Sequence, residues 1–185
     1  MFEITTPTDR ETLAAGLGRL QAEIHQHFSD LPLETFFAPQ GEFWSPEGHL
    51  RHLNKSVRAV GQGMAIPKLL LRLRFGASQG GSRPFEAVRE QYLAALADGS
   101  AQAGSFAPSA HTPDLTPAAW KAQILGFWQK GSNELLHQLE RWRDPALDRC
   151  LLPHPILGKL TVREMLFFTL YHNAHHARRV VERSG

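Results

Sequence analysis

"TVREMLFFTLYHNAHHARRVVE", residues 161–182, carries a helix start and then a long run with no breaker. Thr161 followed three residues later by Glu164 spells a capping box, and from Val162 to about Glu182 neither glycine nor proline interrupts. The window is therefore a long helix. Successive helical side chains turn by about 100°, so residues four apart share a face one turn along. His172 and His176 are such a pair, and Met165, Thr169 and Val180 fall on the same stripe, which faces the interior. His175 falls to the side, near Phe168.

Upstream, three more segments read the same way. In "TDRETLAAGLGRLQAEIHQHFSDL", residues 8–31, Leu13, Leu17, Leu20, Ile24, Phe28 and Leu31 recur in steps of three and four, with Thr8 and Glu11 as a capping box. Ser45 and Pro46 combine a capping serine with a proline at the first helical position, and Leu50, Leu53, Val57, Val60 and Met64 follow as one stripe. Thr116 and Pro117 repeat that signature ahead of Trp120, Ile124, Phe127, Trp128, Leu135, Leu139 and Trp142.

Between the second and third of these helices, residues 76–116 form a long connection. It holds one short helix, "FEAVREQYLAALADG" (85–99), closed by Gly99. "RDPALDRCLLPHPILGKL" (143–160) reads as loop, and no segment shows convincing strand alternation. Four long amphipathic helices with one long crossover predict an all-α four-helix bundle, a fold whose interior can hold metal sites built from facing helices. A chain of 185 residues fits one domain, residues 1–185.

Composition narrows the function classes. Twenty Lys and Arg against eighteen Asp and Glu give a net charge of +2, and the two signs are interspersed, so nucleic-acid binding is not expected. The most apolar run, "AIPKLLLRLRF", carries Lys68, Arg72 and Arg74, which excludes a membrane span. The first residues lack the order of a secretory signal, so a cytoplasmic protein is expected. The single cysteine, Cys150, excludes an internal disulfide or an all-thiolate metal site.

A histidine pair one turn apart can turn both rings toward one ion, but such pairs also hydrogen-bond or lie on a surface. A third ligand would have to come from elsewhere. "FWSPEGHLRHLNKSV" supplies His49 and His52 at the start of the second long helix, and periodicity alone favours His49. His25, His27, His111, His137 and His154 show no partner pattern. Trp120, Trp128 and Trp142 read as packing aromatics, and Glu47 and Glu164 are not assigned as acid or base.

"WSPEGHLRHL" (44–53), taken together with "HPILGKLTVREMLFFTLYHNAHHARRV" (154–180), resembles the DinB-like superfamily, which includes the YfiT-like metal-dependent enzymes. The likeness lies in a tryptophan near the start of the second helix, a histidine followed by leucine eight residues later, and a C-terminal histidine pair four apart. On this chain these are Trp44, His52 with Leu53, and His172 with His176. The resemblance implies a divalent ion, zinc or nickel, on His52, His172 and His176, and leaves His49 as an outer or surface group. It further implies a homodimer and a small-molecule substrate, with a low-molecular-weight thiol as cosubstrate. The chemistry implied is that of a thiol-dependent S-transferase or a hydrolase. The rival is a non-enzymatic, stress-induced metal-binding bundle. No catalytic residue is assigned.

Overall fold

The computed structural model describes residues 2–109 and 114–184, and His111 lies outside them. Its long helices are α1 (Arg10–Asp30), α3 (Pro46–Ala65), α6 (Pro117–Glu140) and α8 (Val162–Ser184). The short ones are α2 (Leu33–Phe37), α4 (Lys68–Phe75), α5 (Phe85–Ala97) and α7 (Asp144–Leu147), with a 3-10 turn at Gly104–Phe106. The protein is predominantly helical.

Three of the four long helices begin where the sequence places a cap. Ser45 Oγ accepts from the Gly48 amide at 3.1 Å, and Thr116 Oγ1 from the Ala119 amide at 3.3 Å. At α8 the box closes in both directions. Thr161 Oγ1 accepts from the Glu164 amide at 3.1 Å, and Glu164 Oε2 accepts from the Thr161 amide at 3.0 Å. The start of α1 differs from the expected Thr8/Glu11 box, because Asp9 is the cap and Thr12 its reciprocal partner. Asp9 Oδ1 accepts from the Thr12 amide at 2.8 Å. A carboxylate one residue along caps as well as a hydroxyl, and the two starts are indistinguishable from spacing.

α3 packs on α6 and α8, and α1 packs on the same two helices. Leu13, Leu17 and Ile24 of α1 and Leu50, Leu53 and Val57 of α3 are fully enclosed, as their stripes predict. Trp128 and Trp142 are buried, with Nε1 donating to the Gln21 and Met64 carbonyls at 3.0 and 3.2 Å, so neither indole leaves an unmet donor. Phe127, placed on the α6 stripe by sequence, is 52% exposed. It adds little of the about 1.5–3 kcal/mol that a fully buried side chain of its kind gains.

The segment 143–160 is more ordered than a loop. It holds α7 and most of a two-stranded antiparallel hairpin, β1 (Leu151–His154) and β2 (Gly158–Thr161), with His154 opposite Gly158. The strands are four residues long and the first contains Pro153, too short and too interrupted for an alternating pattern to register. Gly158, at φ +75°, takes the left-handed conformation that this three-residue turn needs. The hairpin delivers the chain into α8, and a set of paired charges fixes that junction. Arg163 spans Asp144 and Asp148 with nitrogen–oxygen distances of 2.6 Å to each, and Arg83 Nε donates to Glu164 Oε1 at 2.8 Å. α5, inside the long connection, packs on α8.

Candidate metal centre

Two helices bring the polar groups of the centre together. The Ser45 cap and Pro46 fix the first turn of α3, and Gly48 within it lets Trp44 lie close against the helix. A Cβ at Gly48 would stand 2.9 Å from Trp44 Cβ, closer than side chains tolerate. The first two turns of α3 carry His49 and His52, three apart, and both are buried. From α8, His172 and His176 face them, also buried.

One ring nitrogen each from His52, His172 and His176 lies within 4.8 Å of the others. His52 Nε2 and His172 Nε2 are 2.9 Å apart. His52 Nδ1 is 3.0 Å from the Phe106 carbonyl, which can only accept, so Nδ1 bears the proton and the Nε2 lone pair faces the cluster. On α8, His176 Nδ1 sits 2.8 Å from His49 Nδ1. When His176 donates there, its own Nε2 is left as a lone pair; the reverse tautomer would leave a proton on it. His172 Nδ1 and His49 Nε2 are enclosed with no partner among the described residues.

Burial keeps the rings neutral. It lowers the pKa of His172 and His176 well below the free imidazole value, and the neighbouring imidazoles reinforce the effect. His52 is lowered too, by burial first, although the Phe106 carbonyl favours its charged form. His49 falls to about 4 through burial, His52 and then the arginines Arg179 and Arg183. Neutral imidazoles with converging nitrogens are what a metal ion requires.

The donor set fits zinc or nickel: three imidazole nitrogens, with no thiolate and no carboxylate among them. The carbonyl behind His52 is the kind of outer contact that fixes the tautomer of a metal-binding histidine. Two nitrogens held at about 2.0–2.1 Å by one tetrahedral ion stand roughly 3.3 Å apart, so the 2.9 Å pair needs to open by only a few tenths of an ångström. The same bond length spans at most roughly 4.2 Å, so any pair near the 4.8 Å limit would have to draw in. Three protein donors are also the number used where a position is left for water or substrate.

His175, as its wheel position predicts, lies outside the trio, half-buried with its ring stacked on Tyr171. His49 is more than a surface group, since it holds His176. Trp44 stacks on His176, with centroids 6.3 Å apart and an interplanar angle of 10°, and its ring also meets those of His49 and His52. Glu47 and Glu164 stay away from the trio. Glu47 accepts from Arg51 and from the Trp120 indole, and Glu164 is held by Arg83 and the α8 cap. Cys150 is fully buried and free.

Two cavities share the His52 and His172 wall. One, about 230 Å³, is largely apolar and lined by Val60, Ile66, Phe75, Leu152, Met165 and Phe168 among others. The second, about 250 Å³, is more polar and includes Glu42, Tyr92, His175 and Arg179. Burial pushes the Tyr92 hydroxyl up to about 12, so it stays protonated at neutral pH. Sequence reasoning missed Tyr92 and His154, because the long connection and the hairpin bring them to α8 from outside its own periodicity.

No helix among the described residues is long and apolar enough to cross a membrane. Comparison with curated proteins finds no match, and neither does comparison with solved structures. The sequence pattern of the DinB superfamily, by contrast, matches residues 16–180 and so takes in both the α3 and the α8 histidines. The chain belongs to the DinB superfamily.

Proposed function

We propose that the protein is a metal-dependent enzyme in which His52, His172 and His176 hold a zinc or nickel ion, and that it carries out thiol-dependent S-transfer or hydrolysis. The observation that carries this reading is the convergence of three buried, neutral imidazoles from two helices beside a cavity able to admit an organic molecule. A bound ion of this kind supplies acidification of a thiol or water and polarisation of a carbonyl. The chain's own groups prepare the place. The Phe106 carbonyl sets the His52 tautomer, His49 hydrogen-bonds to His176 and fixes its ring, and Trp44 stacks on that ring.

A thiol cosubstrate is favoured by the second, more polar cavity, which meets the same two imidazoles and so offers a separate approach for a polar partner. The reading includes a four-helix bundle of α1, α3, α6 and α8 with residues 76–116 as its crossover, a homodimer, and a cytoplasmic setting. Light scattering checks the dimer. The functional test is the visible spectrum of cobalt-substituted protein titrated with several low-molecular-weight thiols, followed by a conjugation screen. Thiolate-to-cobalt charge-transfer bands and thiol-dependent turnover are expected. A cobalt spectrum indifferent to every thiol, with neither conjugation nor hydrolysis detected, would point instead to the non-enzymatic, stress-induced metal-binding protein.

A further inference from the structure

His154 ends β1 and lines the apolar cavity. Its Nδ1 accepts from two turn amides, Ile156 at 3.2 Å and Leu157 at 3.0 Å. A nitrogen that accepts from two amides carries no proton, so in the neutral ring the proton sits on Nε2. That Nε2–H has no partner among the described residues. The ring is held edge-on to Phe168, with centroids 4.2 Å apart, and Phe168 in turn stacks on His172 at 4.9 Å. Burial brings the His154 pKa down to about 4, in keeping with a neutral ring.

The other buried hydroxyl donor around the cavity is already used. Thr169 Oγ1 donates to the Met165 carbonyl at 2.8 Å, and the half-buried Ser56 donates to the His52 carbonyl at 3.1 Å. Gln102 is exposed. Among the described residues lining this cavity, and apart from the imidazole trio, His154 is thus the buried residue whose side-chain donor is left unspent in an otherwise apolar wall. A dry apolar cavity of about 150 Å³ is enough for benzene, so the space here suits a substituted ring or a short branched chain.

We infer that this cavity binds an apolar molecule bearing one hydrogen-bond acceptor, a carbonyl or ether oxygen, and that His154 Nε2–H receives that acceptor beside the His52–His172 wall. His154 is a positioning and selectivity group, and its fixed tautomer makes it a donor that cannot act as a base. The inference deepens the proposed function by naming the substrate class, and it rests on that reading for the ion's place beside the cavity. A site built to hydrogen-bond one atom discriminates against the analogue lacking it, more so where water does not compete.

The test titrates acetophenone and ethylbenzene, a pair differing in one acceptor, into ¹⁵N-histidine-labelled protein, both zinc-loaded and chelator-stripped. Acetophenone is expected to bind roughly 3- to 10-fold more tightly in both forms, the ratio a single neutral hydrogen bond supports. It should move the His154 Nε2 resonance, and ethylbenzene should not. In His154→Phe the ratio should fall to about 1 with ethylbenzene affinity kept, and His154→Gln, which retains a donor, should restore part of it. Four results would overturn the inference: preference surviving in His154→Phe, preference confined to the zinc-loaded form, a His154 resonance unmoved at saturation, or binding of neither probe. If His154→Phe does not fold, the wild-type resonance decides. Failure of the native protein to take up zinc would sink the metal reading and leave the chelator-stripped titration valid.

Discussion

α8 buries polar side chains in two clusters, and they are built on opposite rules. At its N-terminal end, Arg163 lies between Asp144 and Asp148, Arg83 pairs with Glu164, and Glu164 also closes the helix cap. Opposite charges meet there, and these carboxylates have donors. Three turns along, His172 and His176 meet His52 and His49 with no carboxylate among them, and two buried ring nitrogens have no partner among the described residues. Buried polar groups are normally paired, because an unmet one costs about 1–3 kcal/mol. Arg163 Nη1 is also buried without a partner among the described residues, so the contrast lies in charge: paired opposite charges hold the fold, whereas neutral imidazoles that converge with no carboxylate among them are poised for a cation the protein alone does not provide.

Breaking each cluster should have a different signature. His176→Ala removes a converging nitrogen and should weaken zinc binding by more than about 100-fold, beyond the range for loss of an outer contact. Competition with a chromophoric chelator measures this, and the metal-free variant should unfold close to the native midpoint. Arg163→Met should do the reverse. Chemical unfolding should report a loss of about 1–3 kcal/mol, with zinc affinity unchanged. The figure is kept below that for a fully buried pair because Asp144 and Asp148 remain 48% and 32% exposed and can turn to water.

The charged end should also respond to acid. Burial favours the neutral form of Glu164, but the hydrogen bonds from Arg83 and Thr161 outweigh it and hold the carboxyl below the ordinary 4.5. A carboxyl depressed in the folded state contributes stability that is complete above its unfolded pKa and disappears as pH falls through the folded one. Urea midpoints should therefore drop below about pH 4.5, and less steeply in Glu164→Gln. For Asp148 burial favours the neutral form, but the bonds from Arg163 and Ser82 together outweigh it and lower the carboxyl, so it keeps part of the slope. The smallest effect belongs to His175→Ala, which should change zinc affinity by less than about 2-fold, since His175 meets His176 only ring edge to ring and makes no hydrogen bond to the trio among the described residues.

Much of this contrast was legible in the sequence. The Thr161/Glu164 box, the Ser45 and Thr116 caps and the shared face of His172 and His176 follow from spacing, because helical geometry repeats locally. The α3 pair was less clear. Periodicity preferred His49 and family resemblance His52, and the structure buries both, with His52 facing His172 and His49 facing His176. Two residues three apart near a helix start can both reach inward, and a stripe taken from the middle of the helix ranks them without excluding either. The hairpin was not legible, since four-residue strands with a proline carry no usable alternation. His154 and Tyr92 were missed with it, because long-range packing brings them to the cavities.

Whether His52, His172 and His176 act together as one binding unit is read from the metal content of the purified protein by plasma mass spectrometry. The native protein should carry about one divalent ion per chain, and His172→Ala purified in parallel should carry almost none. Native-level metal in His172→Ala, or a metal-free native protein that takes up neither zinc nor nickel when offered them, would mean that the three imidazoles do not bind an ion together.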